Sequence, residues 1–519
     1  MSTQDDKQKI ARRAFIGGAV GVAAGLGAAS LMTAQPAQGQ GLFGPPPGDT
    51  PGPDLFRLES DIHNCEVEGT IPSDLSGAFY RVGPDPQYPM KPGNIPFDGE
   101  GHVSMFRIKY GRVNYRTRYV RNERYLAQEA AGKLLFPMYR NPSLDDPSVK
   151  GLSRSTANTH IINHNGLLLA LKEDSPPAAL NLLTLETLVP NYTFHDKLPS
   201  QTFTAHPKVD SVTGNIVAFG FEADGFGTDT VSIFEITPRG DIIWNARIKA
   251  PYVGMLHDFA VTANHIAFYA HPLTMDEEQL RNGGIHWSWD SSLKSYFGIL
   301  RRGGDGSDVR WIEGPTASSI HVMGAFEDKG KIYVDLELSS GNPFPFMPNR
   351  DRSPWRPGTM SSQITRISAD LNGSSVTGYG MEKLFDYASG LPRQDDRYNT
   401  VPYRYGFMGT RDIHATDPRA ANPGYVRLDN ATGNTQFWNA GTGVSLDECC
   451  FAPKAANAGE GQGYLLGVVN RRNENGRGDL VILDAEHLED GPVAVVQLPI
   501  RATSQVHGWW VPDAQLPTA

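Results

Sequence analysis

The chain predicts an all-β fold closed into one large body, and three observations carry that expectation. Apolar or alternating runs of strand length recur along it, turn signals separate them, and long amphipathic helical stretches are scarce. Taken in order, the runs are "GLLLALKE" (166–173), "NIVAFGFE" (215–222), "VSIFEIT" (231–237), "DIIWNARIKA" (241–250), "HIAFYAH" (265–271), "YFGILRR" (296–302), "KIYVDLEL" (331–338) and "DLVILDA" (479–485). Between and beside them stand "HNG" (164–166), "TPRGD" (237–241), "ANPG" (421–424) and "RGD" (477–479), whose Gly, Pro and Asn residues favour chain reversal. "DEEQLRNG" (276–283) is a short helix candidate. The 55 glycines and 38 prolines fit many turns rather than long helices. The strands spread over residues 56–519 with no internal linker, which favours one domain. A β-propeller is the natural solution at this size, because radial blades leave only short edges. No blade-to-blade repeat is visible, so the number of blades does not follow from the residues.

Composition excludes some partners. A net charge of −10 disfavours nucleic acid and acidic membrane surfaces, both of which repel an acidic protein. Cys65, Cys449 and Cys450 are too few for a disulfide framework and are expected as free thiols; there is no CxxC zinc motif. Residues 1–39 read as an export signal: Arg12 and Arg13 precede a Gly/Ala-rich apolar run to Met32, with small residues near Ala34–Gly39 suited to cleavage. The paired arginines followed by Ala14, Phe15 and Ile16 resemble a twin-arginine signal, which places the mature protein in the periplasm. A membrane anchor is the alternative, but the run is Gly-rich, only moderately hydrophobic and followed by a Pro/Gly linker at 40–55. No other segment approaches the length of a membrane span.

Four of the 14 histidines occupy similar settings at strand ends or turns: His206 in "TAHPK", His257 in "GMLHDFAVT", His321 in "SSIHVMGAF" and His507 in "SQVHGWWVP". Their wide separation rules out a local metal loop. A propeller nonetheless brings distant inner strands to one axis, where four imidazoles would suit a borderline metal such as iron, copper or nickel. On spacing alone the favoured reading is of unrelated core or surface histidines.

At "GAFYRVGPDPQYP" (77–89), "PFDGEGHVSMFRI" (96–108), "TAHPKVD" (204–210), "LHDFAVT" (256–262), "SIHVMGAFE" (319–327) and "VHGWW" (506–510) the chain resembles the carotenoid cleavage oxygenase family. The motifs stand in the family's order through nearly the whole mature chain. The resemblance implies a seven-bladed β-propeller capped by a dome of loops, with Fe(II) on the axis held by His206, His257, His321 and His507. It implies supporting glutamates at Glu173 in "LALKEDSP" and Glu448 in "SLDECCFAPK". A third glutamate is expected where "SGLPRQDDRY" carries Gly390; this departure leaves one ligand, His321, to a neighbouring acid or a water. Thr159 in "STANTH" matches a threonine whose methyl group crowds an open metal position in the family.

The stretches "FPMYRNPSLDDPSVKG" (136–151), "RSTANTH" (154–160) and "LALKEDSP" (169–176) look like the lignostilbene and isoeugenol branch, which grips a phenol. That resemblance implies Tyr139 and Lys172 on the substrate hydroxyl and Phe97 stacked on its ring. His102, in "DGEGH", stands where a hydrophobic residue is expected. The expected function is a dioxygenase that splits the central double bond of a 4-hydroxystilbene with O2 into two aromatic aldehydes. Isoeugenol-type phenylpropene cleavage, apocarotenoid cleavage and a non-catalytic binding propeller are the alternatives.

The export reading has a direct test. Replacing Arg12 and Arg13 together by lysine should strand the protein in the cytoplasm of a bacterial host. Fractionation that finds periplasmic protein undiminished would exclude the twin-arginine route.

Overall fold

The computed structural model describes residues 56–356, 362–416 and 421–518. The export signal and linker expected at 1–39 and 40–55 lie outside the described residues.

Seven antiparallel sheets of four or five strands form a seven-bladed propeller, with a separate ribbon made by Leu273–Met275 and Trp287–Trp289. The first blade runs, from outside in, through Ser60–Ile62, Arg112–Tyr119, Glu100–Lys109, Gly77–Asp85 and His507–Pro512. The next five blades follow in chain order. Their strands that face the axis are His160–His164, Lys208–Val209, Phe259–Val261, Val322–Asp328 and Ser389–Gln394. Val444–Pro453 opens the seventh.

Burial explains why some runs are apolar throughout and others alternate. Ile216–Phe221 lies between neighbouring blades and is buried along its whole length, whereas Ile242–Lys249, at the outer edge of the same sheet, alternates buried and exposed residues. A strand covered on both faces reads as a continuous hydrophobic run; one covered on a single face reads with period two.

The ring closes at two places. His507–Pro512 pairs with Gly77–Asp85, placing His507 opposite Val82. Glu66–Gly69 crosses the other way and pairs with Pro492–Arg501 in the seventh blade. Arg81 locks this junction from inside: fully buried, it donates to Asp447 Oδ2 at 3.0 Å and to the Gln505 carbonyl.

The described residues hold two α-helices. Glu277–Arg281 falls within the predicted "DEEQLRNG", with Asp276 accepting from the Gln279 amide. Glu123–Ala131 was not predicted, although its end signals are present: Asn122 caps the start, and Gly132, at φ 65°, ends it by donating to the Gln128 carbonyl. The long connections converge on one cluster that includes Ile95, Tyr139, Leu273, Ile285, Trp287 and Phe344. Asn141 stitches two of them by donating to the carbonyls of Leu280 and Gly284.

Arg81→Met should destabilise the protein by about 3–5 kcal/mol, because it leaves Asp447 charged and unpaired in the interior. Adding Asp447→Asn should recover much of that loss. Denaturant unfolding of both variants checks this; wild-type stability in Arg81→Met would remove the contact from ring closure.

Candidate metal centre

The four predicted histidines meet on the axis. His206 and His257 each stand two residues ahead of an axis-facing strand, His321 stands one residue ahead, and His507 opens its strand. All four are buried, and one nitrogen from each falls within 4.8 Å of the other three. Nε2 of His206 and of His257 are 3.0 Å apart. The rings of His206 and His507 lie 4.5 Å apart between centroids, and those of His321 and His507 lie 5.0 Å apart.

Three of the imidazoles are oriented by carboxylates. His257 Nδ1 donates to Glu173 Oε1 at 3.2 Å, His321 Nδ1 to Glu337 Oε1 at 2.8 Å, and His507 Nδ1 to Glu448 Oε1 at 2.9 Å. A proton fixed on Nδ1 leaves the lone pair on Nε2, which is the tautomer a metal needs. Glu337 corrects the reading at Gly390: no carboxylate is missing from His321. Gly390 pairs across its ladder with Gly409, and the acid comes instead from Lys331–Leu338, in the same blade as His321. The Glu337 amide also donates to the His321 carbonyl at 3.1 Å.

Among the described residues no carboxylate reaches His206. Its neighbour is His160, whose Nδ1 donates at 2.7 Å to the carbonyl of Ala205, immediately before the ligand. The His160 ring lies 5.3 Å from that of His206 and 5.1 Å from that of His507. The sequence offered a sign of it, a fifth histidine opening an axis-facing strand. Thr159 precedes it, half-buried, with its hydroxyl donating to Asn158 Oδ1 at 3.1 Å.

The donor set fits a divalent cation. Nε2 of His321 and of His507 is buried with no hydrogen-bond partner among the described residues, as expected of lone pairs aimed at an ion. Burial, followed by the neighbouring histidines, holds His206 and His507 well below the usual imidazole range, so both stand neutral. At His321 burial also pushes downward, but the charge and hydrogen bond of Glu337 outweigh it and the net shift is upward. The centre therefore places nitrogen donors in front of buried anions, and a cation among the donors relieves the cost of burying that charge. Four imidazoles with no thiolate suit a borderline metal.

The three residues expected to grip a phenol also come together. Lys172 Nζ sits 5.3 Å from the Tyr139 ring and 5.4 Å from the Phe97 ring, whose centroids are 6.1 Å apart. Phe344 and Phe346, which the sequence reading missed, meet Phe97 edge-on at 5.5 and 5.1 Å. The Tyr139 hydroxyl is buried without a hydrogen-bond partner among the described residues. Burial pushes its pKa up to about 12, against the pull of Lys172, so it remains a donor. Burial works against the Lys172 charge, but Glu173 and then Tyr139 outweigh it and the ammonium is retained. Lys172 and Glu173 join pocket to centre: Lys172 Nζ lies 4.0 Å from Glu173 Oε2, while Oε1 of the same carboxylate receives His257. His102 takes no part. It is buried against Phe56 and Tyr119 and bonds the Leu58 carbonyl through Nε2 at 3.0 Å.

Fold and site together define a propeller with a four-histidine axial centre. The family described as retinal pigment epithelial membrane protein (RPE65) matches residues 56–512, and the chain belongs to this RPE65/carotenoid cleavage oxygenase family. It is 39% identical to lignostilbene-alpha,beta-dioxygenase isozyme III of Sphingomonas paucimobilis, over 89% of this chain and 96% of that one. It is equally 39% identical to isoeugenol monooxygenase of Pseudomonas nitroreducens, over 88% and 96%. Resveratrol cleavage oxygenase 1 of Aspergillus fumigatus is 38% identical over 88% and 93%. Among solved structures, lignostilbene dioxygenase of Pseudomonas brassicacearum superposes with a TM-score of 0.85 at 38% identity, over 92% of this chain and all of that one.

Each single alanine replacement of His206, His257, His321 or His507 should abolish most metal binding, whereas His265→Ala and His414→Ala should not. Glu337→Gln should weaken metal binding by roughly 10–100-fold. Metal analysis of the purified variants checks both; wild-type affinity in Glu337→Gln would show that His321 needs no carboxylate.

Proposed function

We propose that this chain is an exported non-haem Fe(II) dioxygenase that cleaves the central double bond of 4-hydroxystilbenes. One alkene and one O2 give two aromatic aldehydes, so both oxygen atoms are accounted for. His206, His257, His321 and His507 would hold the iron, which when bound supplies the site for dioxygen activation. The observation that carries the substrate class is the orphaned Tyr139 hydroxyl beside the Lys172 ammonium in an aromatic pocket. A buried donor without a partner costs roughly 1–3 kcal/mol. A substrate oxygen between Tyr139 and Lys172 would remove that cost.

Lys172 does the electronic work in this reading. An ammonium beside a phenol lowers the phenol pKa by favouring the charged form. The resulting phenolate pushes electron density through the ring onto the conjugated alkene, which becomes more reactive toward dioxygen. Tyr139, protonated throughout the physiological range, donates a second hydrogen bond to the same oxygen. Phe97, with Phe344 and Phe346 behind it, offers the aryl ring an apolar wall. An apocarotenoid would leave the buried Tyr139 hydroxyl unpartnered, and is disfavoured for that reason. The non-catalytic reading rested on Gly390 and loses its ground with Glu337 in place. Cleavage of a 4-hydroxyphenylpropene remains the second reading, favoured by the equal identity to the isoeugenol relative. Both substrates present the same phenol.

Lys172→Met and Tyr139→Phe should each cut turnover of a 4-hydroxystilbene by roughly 10–150-fold, the worth of one charge-assisted hydrogen bond of about 1.5–3 kcal/mol. Metal content should be unchanged. Wild-type enzyme should be correspondingly poor on the 4-methoxy analogue, which cannot ionise. Aldehyde formation on both compounds decides: equal rates in wild type would end the phenolate mechanism. Isoeugenol in the same assay separates the two phenolic substrates.

A further inference from the structure

We propose that Arg393 is a positioning residue of the metal centre, holding His507 in place through Glu448 and through Gly508, the residue that follows the histidine. The inference rests on the reading of the four histidines as metal ligands. Arg393 lies on Ser389–Gln394 of the sixth blade, the strand whose ladder slips between Gly390 and Arg393 and whose Leu391 sits at φ 53°. A bulge of this kind re-aims the side chain that follows it.

The guanidinium spans three blades. Nη2 donates to Asp396 Oδ2 at 2.7 Å within the sixth. Nη1 donates to Glu448 Oε2 at 2.9 Å in the seventh and to the Gly508 carbonyl at 3.2 Å in the first. Glu448 Oε2 also accepts from the Gly508 amide at 2.9 Å, while its Oε1 takes the His507 proton. Gly508, the residue next to the ligand, is therefore engaged on both sides, its N–H by Glu448 and its C=O by Arg393.

The three carboxylates are held differently. Glu337 Oε2 has no hydrogen-bond partner among the described residues, and Glu337 is fixed by its own backbone bond to His321. Glu173 has Lys172 at 4.0 Å. Only for Glu448 do both oxygens make short bonds, two of them charge-assisted or to the ligand itself, and such bonds are shorter and stronger than neutral ones. His507 is delivered by the strand that closes the ring, and its carboxylate comes from another blade. A carboxylate that can rotate would let the imidazole turn; a fixed guanidinium removes that freedom.

The test is a double-mutant cycle on metal affinity. Metal-stripped full-length protein is titrated with Co2+, followed by its visible absorption, for wild type, Arg393→Met, Glu448→Gln and the double variant. Arg393→Met should bind Co2+ roughly 10–100-fold more weakly, with a spectral change like that of Glu448→Gln, and the double variant should be no weaker than the weaker single. Arg393→Lys should recover part of the affinity, since one ammonium replaces the charge but not the fork. Wild-type affinity in Arg393→Met, or a double loss equal to the product of the single losses, would overturn the proposal. Should Arg393→Met fail to fold, Arg393→Lys in the wild-type and Glu448→Gln backgrounds gives the same cycle: equal loss in both overturns it, and loss only in wild type supports it. Wild-type protein that binds no Co2+ would sink the metal reading itself, a result distinct from an additive cycle.

Discussion

Four imidazoles aimed at one small volume are the constraint on which the rest of this structure depends. Lone pairs on two nitrogens only 3.0 Å apart, as in His206 and His257, repel unless a metal cation or a shared proton lies between them. No local turn can hold four such rings together. For three of them the restraint comes from behind, through Nδ1 protons given to buried carboxylates. Each lies in a strand or directly after one. Glu448 stands in the ten-residue strand Val444–Pro453 and Glu337 in Lys331–Leu338, while Glu173 follows Leu167–Leu171. The propeller thus serves as a rigid frame for hydrogen bonds that would be too costly to bury in a mobile loop.

The dipeptide Lys172–Glu173 shows how closely two tasks are packed. Directly after Leu167–Leu171 the chain presents the Lys172 ammonium to Tyr139 and Phe97 and the Glu173 carboxylate to His257. One step along the backbone separates the group that would read the substrate from the group that orients a metal ligand. Their charges are also coupled: each helps keep the other ionised despite burial.

The parts of this arrangement legible in the sequence were those carried by local pattern. Strand runs showed through their apolar content, and the histidines showed through short motifs in a fixed order. Blade number did not, because the blades share geometry without sharing residues. Glu337 was overlooked for a physical reason: in "KIYVDLEL" it reads as the polar face of an ordinary strand. Asp335, two residues earlier on that face, is an ordinary structural acid paired with Arg366. What distinguishes Glu337 is that the far end of the same hairpin brings back His321, which spacing along the chain does not announce. Arg393 and His160 were missed similarly. Each acts on a ligand from another blade, and contacts between blades leave no periodic trace.

Ring closure by His507–Pro512 has a consequence for how the molecule is made. Synthesis runs from the N-terminus, so the ribosome releases His206, His257 and His321 long before it reaches the fourth histidine. Until residue 507 has emerged and paired with Gly77–Asp85, the first blade lacks its inner strand and the nascent chain holds three imidazoles around an open axis. A prematurely ended chain would have almost every blade and still be unable to assemble the full set of nitrogen donors. The fourth of these histidines thus ties synthesis through residue 507 to formation of the four-nitrogen site.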